Sequence, residues 1–130
     1  MTFVLLLLFV LQPETQKCVS YEPAEVALKG TIRQHTFAGP PNYESVARGD
    51  QAETVWLLHL TQPICVSASS DWEKETGVSG LQLVFANSGE YDKSLLGRKV
   101  VVTGTLYHQH TGHHHTKVLI KVSSIKDRAP

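Results

Sequence analysis

The sequence predicts an all-β fold, a small five-stranded OB-like barrel with a short helix between strands 3 and 4. Three observations carry this. Apolar and polar residues alternate with a period of two, two of the apolar segments hold internal glycines, and turn-forming clusters separate every segment. Residues 25–37, EVALKGTIRQHTF, place Val26, Leu28 and Ile32 on one face and Lys29, Arg33 and His35 on the other, with Gly30 at a bulge or sharp bend. Gly39-Pro-Pro-Asn stops this strand, and a polar loop runs to about Glu53. The second strand is 54–66, TVWLLHLTQPICV, with Pro63 near its end. Residues 67–80 are polar and read as loop, 81–86 (LQLVFA) as the third strand, and 91–96 as a turn of helix. Residues 98–108, RKVVVTGTLYH, form a fourth strand with Gly104 inside it, and 116–125, TKVLIKVSSI, a fifth. Strand, strand, strand, helix, strand, strand is the order of the OB-fold. An open antiparallel sandwich is the alternative.

The chain has 130 residues, sized for one domain, with 12 basic and 12 acidic side chains and no formal net charge. A neutral chain without a basic stripe in its sequence gives no support to duplex-DNA binding, so no nucleic-acid partner is expected. Residues 3–11, FVLLLLFVL, are too short to span a bilayer but suit the apolar region of a signal peptide. No Lys or Arg precedes them and no small-x-small cleavage pattern follows, so a buried N-terminal strand is the competing reading. The expected organisation is a signal peptide over 1–17 and one β domain over 18–130. The protein would then be exported, periplasmic or secreted, and would keep no membrane anchor after cleavage. Cys18 and Cys65 suit a disulfide in an exported chain, two free buried thiols being the alternative. The loop such a bond closes is worth about 4 kcal/mol on chain entropy.

Five of the seven histidines lie in YHQHTGHHHT: His108, His110, His113, His114 and His115. Imidazole is the commonest metal ligand and the side chain that titrates near neutral pH. A two-residue Thr111-Gly112 turn would face His110 with His113 and His108 with His115. The flanking apolar pattern favours a three-residue turn, which pairs Leu106 with Val118, Val102 with Val122, His110 with His114 and His108 with Thr116. That register puts His108, His110 and His114 on one face, His113 at the tip and His115 outward. A bulge at Gly104 would restore the first arrangement. Three imidazoles suit zinc, copper or nickel. No Asp or Glu lies between Lys99 and Ile125, so any carboxylate partner comes from elsewhere, such as Glu44, Asp50 or Glu53. The competing reading is a solvated loop.

The loop after the first strand, HTFAGPPNYE, supplies His35, Tyr43 and Glu44 as ligand-binding candidates, because in an OB-like barrel it lies beside the loop joining strands four and five. Its Gly-Pro-Pro also suits a purely structural role. Arg48 and Asp50 read as solvated turn polarity, His59 as a hydrogen-bonded strand histidine, and Trp56 and Trp72 as packing. Nucleophile-elbow, phosphate-loop and HExxH patterns are absent from the sequence, and no catalytic residue is assigned.

The stretches HTFAGPPNYES and HTGHHHT, within a match running from about Tyr21 to Ile125, resemble a small bacterial domain of unknown function, family 4431. The resemblance implies an exported bacterial protein with a small β domain, and it implies no activity. The expected function is a non-enzymatic module that binds a small ligand or transition metal at the histidine hairpin. An envelope protein-interaction or structural module is the alternative, and a zinc-dependent hydrolase a third.

Overall fold

The computed structural model describes residues 17–87 and 91–128. The expected signal peptide, Lys17 apart, lies outside the described residues. Five strands form one sheet: β1 (Glu25–Ala38), β2 (Ala52–Val66), β3 (Glu75–Val84), β4 (Lys99–His108) and β5 (Val118–Asp127). Their order is β1-β2-β3-β5-β4, and β1 bonds to both β2 and β4, so the sheet closes on itself. All contacts between neighbours are antiparallel except β3 with β5, which pair in parallel over Gln82–Val84 and Leu119–Lys121. The expected helix between β3 and β4 is instead a single 3-10 turn, Lys93–Leu95, begun by the Asp92 carboxylate accepting the Ser94 N–H. Asp92 supplies a cap, but the turn buries no residue, so nothing extends it into a helix.

The alternating residues of β1 and β4 turn inward as the sequence pattern requires. Ile32, Leu58, Leu81, Leu106, Val118 and Ile120 are among the fully buried side chains of the interior. Each contributes about 1.5–3 kcal/mol of burial. Cys18 and Cys65 are bonded, and the Val19 N–H and carbonyl pair with Cys65 and Ser67, which ties the segment before β1 to the end of β2. β3 begins at Glu75, earlier than its apolar run suggests. Its first half is polar and pairs with β2 through register shifts around Ile64. Such an irregular, half-exposed segment shows little alternation for a sequence reading to find.

The expected β4–β5 register is incorrect. Leu106 lies opposite Ile120, not Val118, and Val102 lies opposite Ile125, not Val122. Two causes act. The ladder slips between Thr103 and Gly104, a bulge at the glycine, and the connection is not a tight hairpin but a loop over 109–117. The slip is two residues from Gly104 to the loop, which preserves the inward face there, and three beyond the bulge.

Gly104 and Gly30 sit where strands approach most closely. A Cβ at Gly104 would overlap the Lys121 carbonyl oxygen, and one at Gly30 the His59 carbonyl oxygen. Gly104→Ala is therefore expected to cost about 2 kcal/mol or more, because backbone rather than a movable side chain must yield. Equilibrium denaturation checks this. Wild-type stability for the variant would contradict the bulge geometry.

Candidate functional site

Four residues form a row on the outer side of the sheet. Tyr107 lies opposite Leu119, Leu119 beside Gln82, and Gln82 opposite Leu57. All four are buried although none belongs to the interior cluster. The 109–117 loop folds back over this row. Gln82 holds it with three hydrogen bonds. Its Oε1 accepts the His115 N–H at 2.8 Å, and its Nε2 donates to the His113 carbonyl at 3.2 Å. Its own N–H donates to the Thr116 hydroxyl at 2.9 Å, and that hydroxyl donates to the Val118 carbonyl. Beyond one cross-loop rung, from the Gln109 N–H to the Lys117 carbonyl, and a turn bond from the His114 N–H to the Thr111 carbonyl, the loop backbone finds partners on β3.

This fold-back distributes the five histidines. His108, the last residue of β4, has Nδ1 3.1 Å from the Gln109 carbonyl and Nε2 2.9 Å from Glu75 Oε1. The Glu75 hydrogen bond, opposed by burial, raises its pKa above the ordinary 6.5. His110 Nδ1 lies 3.1 Å from the His108 carbonyl, and the His110 N–H donates to His114 Nδ1. The His110 and His114 rings are 4.6 Å apart and both lie against Tyr107. Burial, then the neighbouring imidazoles His110, His113 and His115, lower the His114 pKa. His113 Nδ1 and His115 Nε2 reach the two oxygens of one carboxylate, Glu53, at 2.9 and 2.8 Å. Burial pushes Glu53 up, but the hydrogen bonds from His115 and His113 outweigh it and hold the carboxyl below its usual range.

The expected face of His108, His110 and His114 does not form as drawn: His108 ends a strand, while the other two sit in the loop. His113 is at the exposed tip as expected. His115 is not outward, because its side chain is 8% exposed, bonded to Glu53 and stacked on Phe37 with centroids 4.4 Å apart.

The β1–β2 loop does meet this rim. Tyr43 packs on the tip of the histidine loop, since a Cβ on Gly112 would come within 2.7 Å of its ring, and it lies 6.0 Å from His113. Its backbone is left-handed, with φ 56°, an uncommon state for a bulky residue. His35 reaches the rim through Phe37, 4.4 Å away, which in turn covers His115. Glu44 gives its N–H to Asp50, and Glu53 is the carboxylate that meets the histidines. Asp50 is not solvated turn polarity. It is 6% exposed and accepts the N–H groups of Ser45, Glu44 and Asn42, which hold its carboxyl below the usual range and fix the loop. His59 is exposed on the outer wall of β2. Trp56 is in the core, and Trp72 lies 5.3 Å from Tyr21.

Two residues absent from the sequence reading complete a donor set. Among the described residues, ligand atoms of Glu73, Glu75 and His108 lie within 4.8 Å of one another. The Tyr21 hydroxyl donates to the Glu73 carbonyl, and burial followed by the charges of Glu75 and Glu73 raises its pKa. Lys117 Nζ stands 3.9 Å from the other Glu75 oxygen. The E-x-E spacing at 73–75 was the available signal. It stood in a stretch that read as loop, 33 residues from His108.

The fold and this rim define a small all-β protein with a histidine-rich loop clamped to its sheet by carboxylates and one buried amide. Residues 80–126 match the model of a family described as a domain of unknown function, DUF4431. It takes in the end of β3, β4, the whole histidine loop and nearly all of β5. No curated protein matches the chain.

Two measurements test the rim. In a histidine-resolved NMR titration, His108 should titrate above 6.5 and His114 below it. The sign follows for stability. The His108–Glu75 contribution is complete below about pH 6.5, the unfolded value, and is lost as pH rises through the higher folded value. Glu53 works oppositely: its contribution is present above the unfolded value near 4.5 and lost as pH falls through its lower folded one. Reversed histidine midpoints would contradict the two environments. Gln82→Leu should cost about 1–3 kcal/mol by stranding the His115 N–H and His113 carbonyl, and hydrogen exchange should speed up across 109–117 but not in β1.

Proposed function

We propose that this protein is an exported, non-enzymatic, OB-like barrel that binds a divalent transition metal of the zinc type at the corner formed by Glu73, Glu75 and His108. The observation that carries it is the environment of the His108 ring. Both nitrogens face oxygen, a carbonyl at Nδ1 and a carboxylate at Nε2. A neutral imidazole has one N–H, so one of these contacts needs a further cation, either a second proton or a metal. The Gln109 carbonyl takes the Nδ1 proton, which leaves the Nε2 lone pair beside Glu75 and Glu73. This is the tautomer-fixing backbone contact that metal-bound histidines use. Imidazole with two carboxylates, and room for water as a fourth ligand, suits zinc better than copper(I), which favours sulfur.

The strand order β1-β2-β3-β5-β4 and the strand-end position of the loops support the OB-like assignment. The disulfide and the apolar 3–11 run support export to an oxidising compartment such as a bacterial periplasm. A different observation favours the interaction or structural module as the second reading. Glu53, Gln82 and His114 satisfy the other loop groups internally, as a cover for Tyr107 and Leu119 would require.

Calorimetric titration of the disulfide-bonded protein with zinc separates the two. The expected result is one saturable site per chain, weakened at least about tenfold by Glu75→Gln or His108→Ala, the usual scale for removing a ligand or its orienting partner. His110→Ala/His114→Ala should retain it. Binding should also weaken in acid, because protons compete for Nε2. No saturable binding, or loss in the His110/His114 variant with retention in Glu75→Gln, overturns the assignment.

A further inference from the structure

The chain is neutral as a whole, but its charges are segregated on the folded surface. Lys29, Thr31 and Arg33 alternate along the outer side of β1 and so share one face. Thr31 is flanked by Lys99 on β4 and by His59 on β2 as direct cross-strand partners. Arg128, just beyond β5, bonds its N–H to the Lys99 carbonyl, and its guanidinium donates to the Thr61 hydroxyl at 3.5 Å. Two surface hollows of about 450 and 380 Å³ share Leu60, Thr61 and Arg128 and run into one another here. Among the described residues that line them are four fixed cations, Lys29, Arg33, Lys99 and Arg128, and no carboxylate. The nearby acid, Asp127, is already held by Arg98 at 2.6 Å. Lys29 to Arg33 spans about 13 Å along the strand, and Lys99 to His59 about 10 Å across it.

We infer that this cationic groove is a second binding surface, separate from the histidine rim, and that it takes an acidic polysaccharide bearing sulfate or phosphate esters. Four cations with no carboxylate among the lining residues concentrate positive potential in a hollow, where a low-dielectric wall strengthens it. The occupant is a chain and not a single ion, because the cations are spread over about 13 Å instead of converging on one point. Sugar fits better than single-stranded nucleic acid. The walls between the cations are Thr31, Thr61 and Gln62, which hydrogen-bond hydroxyls, and among the described residues no Phe, Tyr or Trp lines either hollow for base stacking, His59 being the single ring there. Lys99 stands at the opposite end of β4 from His108, about 30 Å away along the strand, and neither hollow is lined by Glu73, Glu75 or His108, so the inference does not rest on the metal reading.

The test is binding of a short heparin oligosaccharide to the disulfide-bonded protein, by calorimetry over a series of salt concentrations. Its desulfated form, a phosphomannan and a single-stranded oligonucleotide are run in parallel. The expected result is saturable binding to heparin or phosphomannan that falls steeply with salt, and at least about tenfold weaker binding to desulfated heparin. Arg33→Ala/Lys99→Ala should lose at least about tenfold, while Lys117→Ala/Lys121→Ala, on the β5 side, should bind as the parent does. The preferred polymer identifies sulfate or phosphate as the recognised ester. All four positions are exposed, and near-ultraviolet circular dichroism confirms that each variant is folded. The inference falls if neither acidic polysaccharide binds at low salt, if the Arg33/Lys99 variant binds as the parent does, or if the oligonucleotide binds more tightly than both.

Discussion

The buried amide of Gln82 is the interaction on which the rim depends. A glutamine on the outer face of a strand is ordinarily solvated, and burying it unpaired would cost several kcal/mol. Here each end of the amide meets backbone from the histidine loop, and its main-chain N–H meets Thr116. The exchange is mutual. The loop covers Gln82, Leu119 and Leu57 from water, and Gln82 supplies the partners that a loop folded onto a sheet lacks. Once the loop lies on β3, its histidines have little freedom in their choice of neighbour. His113 and His115 fall on Glu53, His110 and His114 fall on Tyr107, and His108 turns to Glu75.

This explains which parts of the molecule were legible in the sequence. β1 alternates, β2, β4 and β5 carry apolar runs bounded by turn signals, and the internal glycines marked the close approaches at Gly30 and Gly104. The inward face of β1 therefore followed from period two, and the other strands from their apolar runs. The connection between β4 and β5 did not. Thr111-Gly112 resembles a hairpin turn, but turn chemistry is local, and the loop's path is set by a side chain some thirty positions earlier. Nothing around Gln82, in LQLVF, distinguishes it from any polar residue on an alternating strand. Glu73 and Glu75 were hidden for a related reason: the first half of β3 is polar and irregularly paired, so it carries no apolar rhythm.

The same physics separates the histidines that density in sequence made look equivalent. Charge on an imidazole is favoured beside Glu75 and disfavoured between other imidazoles. His113 and His115, two positions apart, share a carboxylate yet differ in exposure, 63% against 8% at the side chain. Five histidines within eight residues therefore span environments that favour and oppose protonation.

The contact between Tyr43 and Gly112 extends beyond this one molecule. Two irregular loops, far apart in the chain, meet with a ring on one side and a bare backbone on the other. A side chain at Gly112 would press on the far end of the exposed Tyr43 ring, which must shift or shrink to admit it. Across evolution the two should behave as one character: chains that gain a side chain at the position of Gly112 should have exchanged the ring of Tyr43 for something smaller. The HTFAGPPNYES and HTGHHHT stretches would then persist together or drift together, each conserving the other's shape.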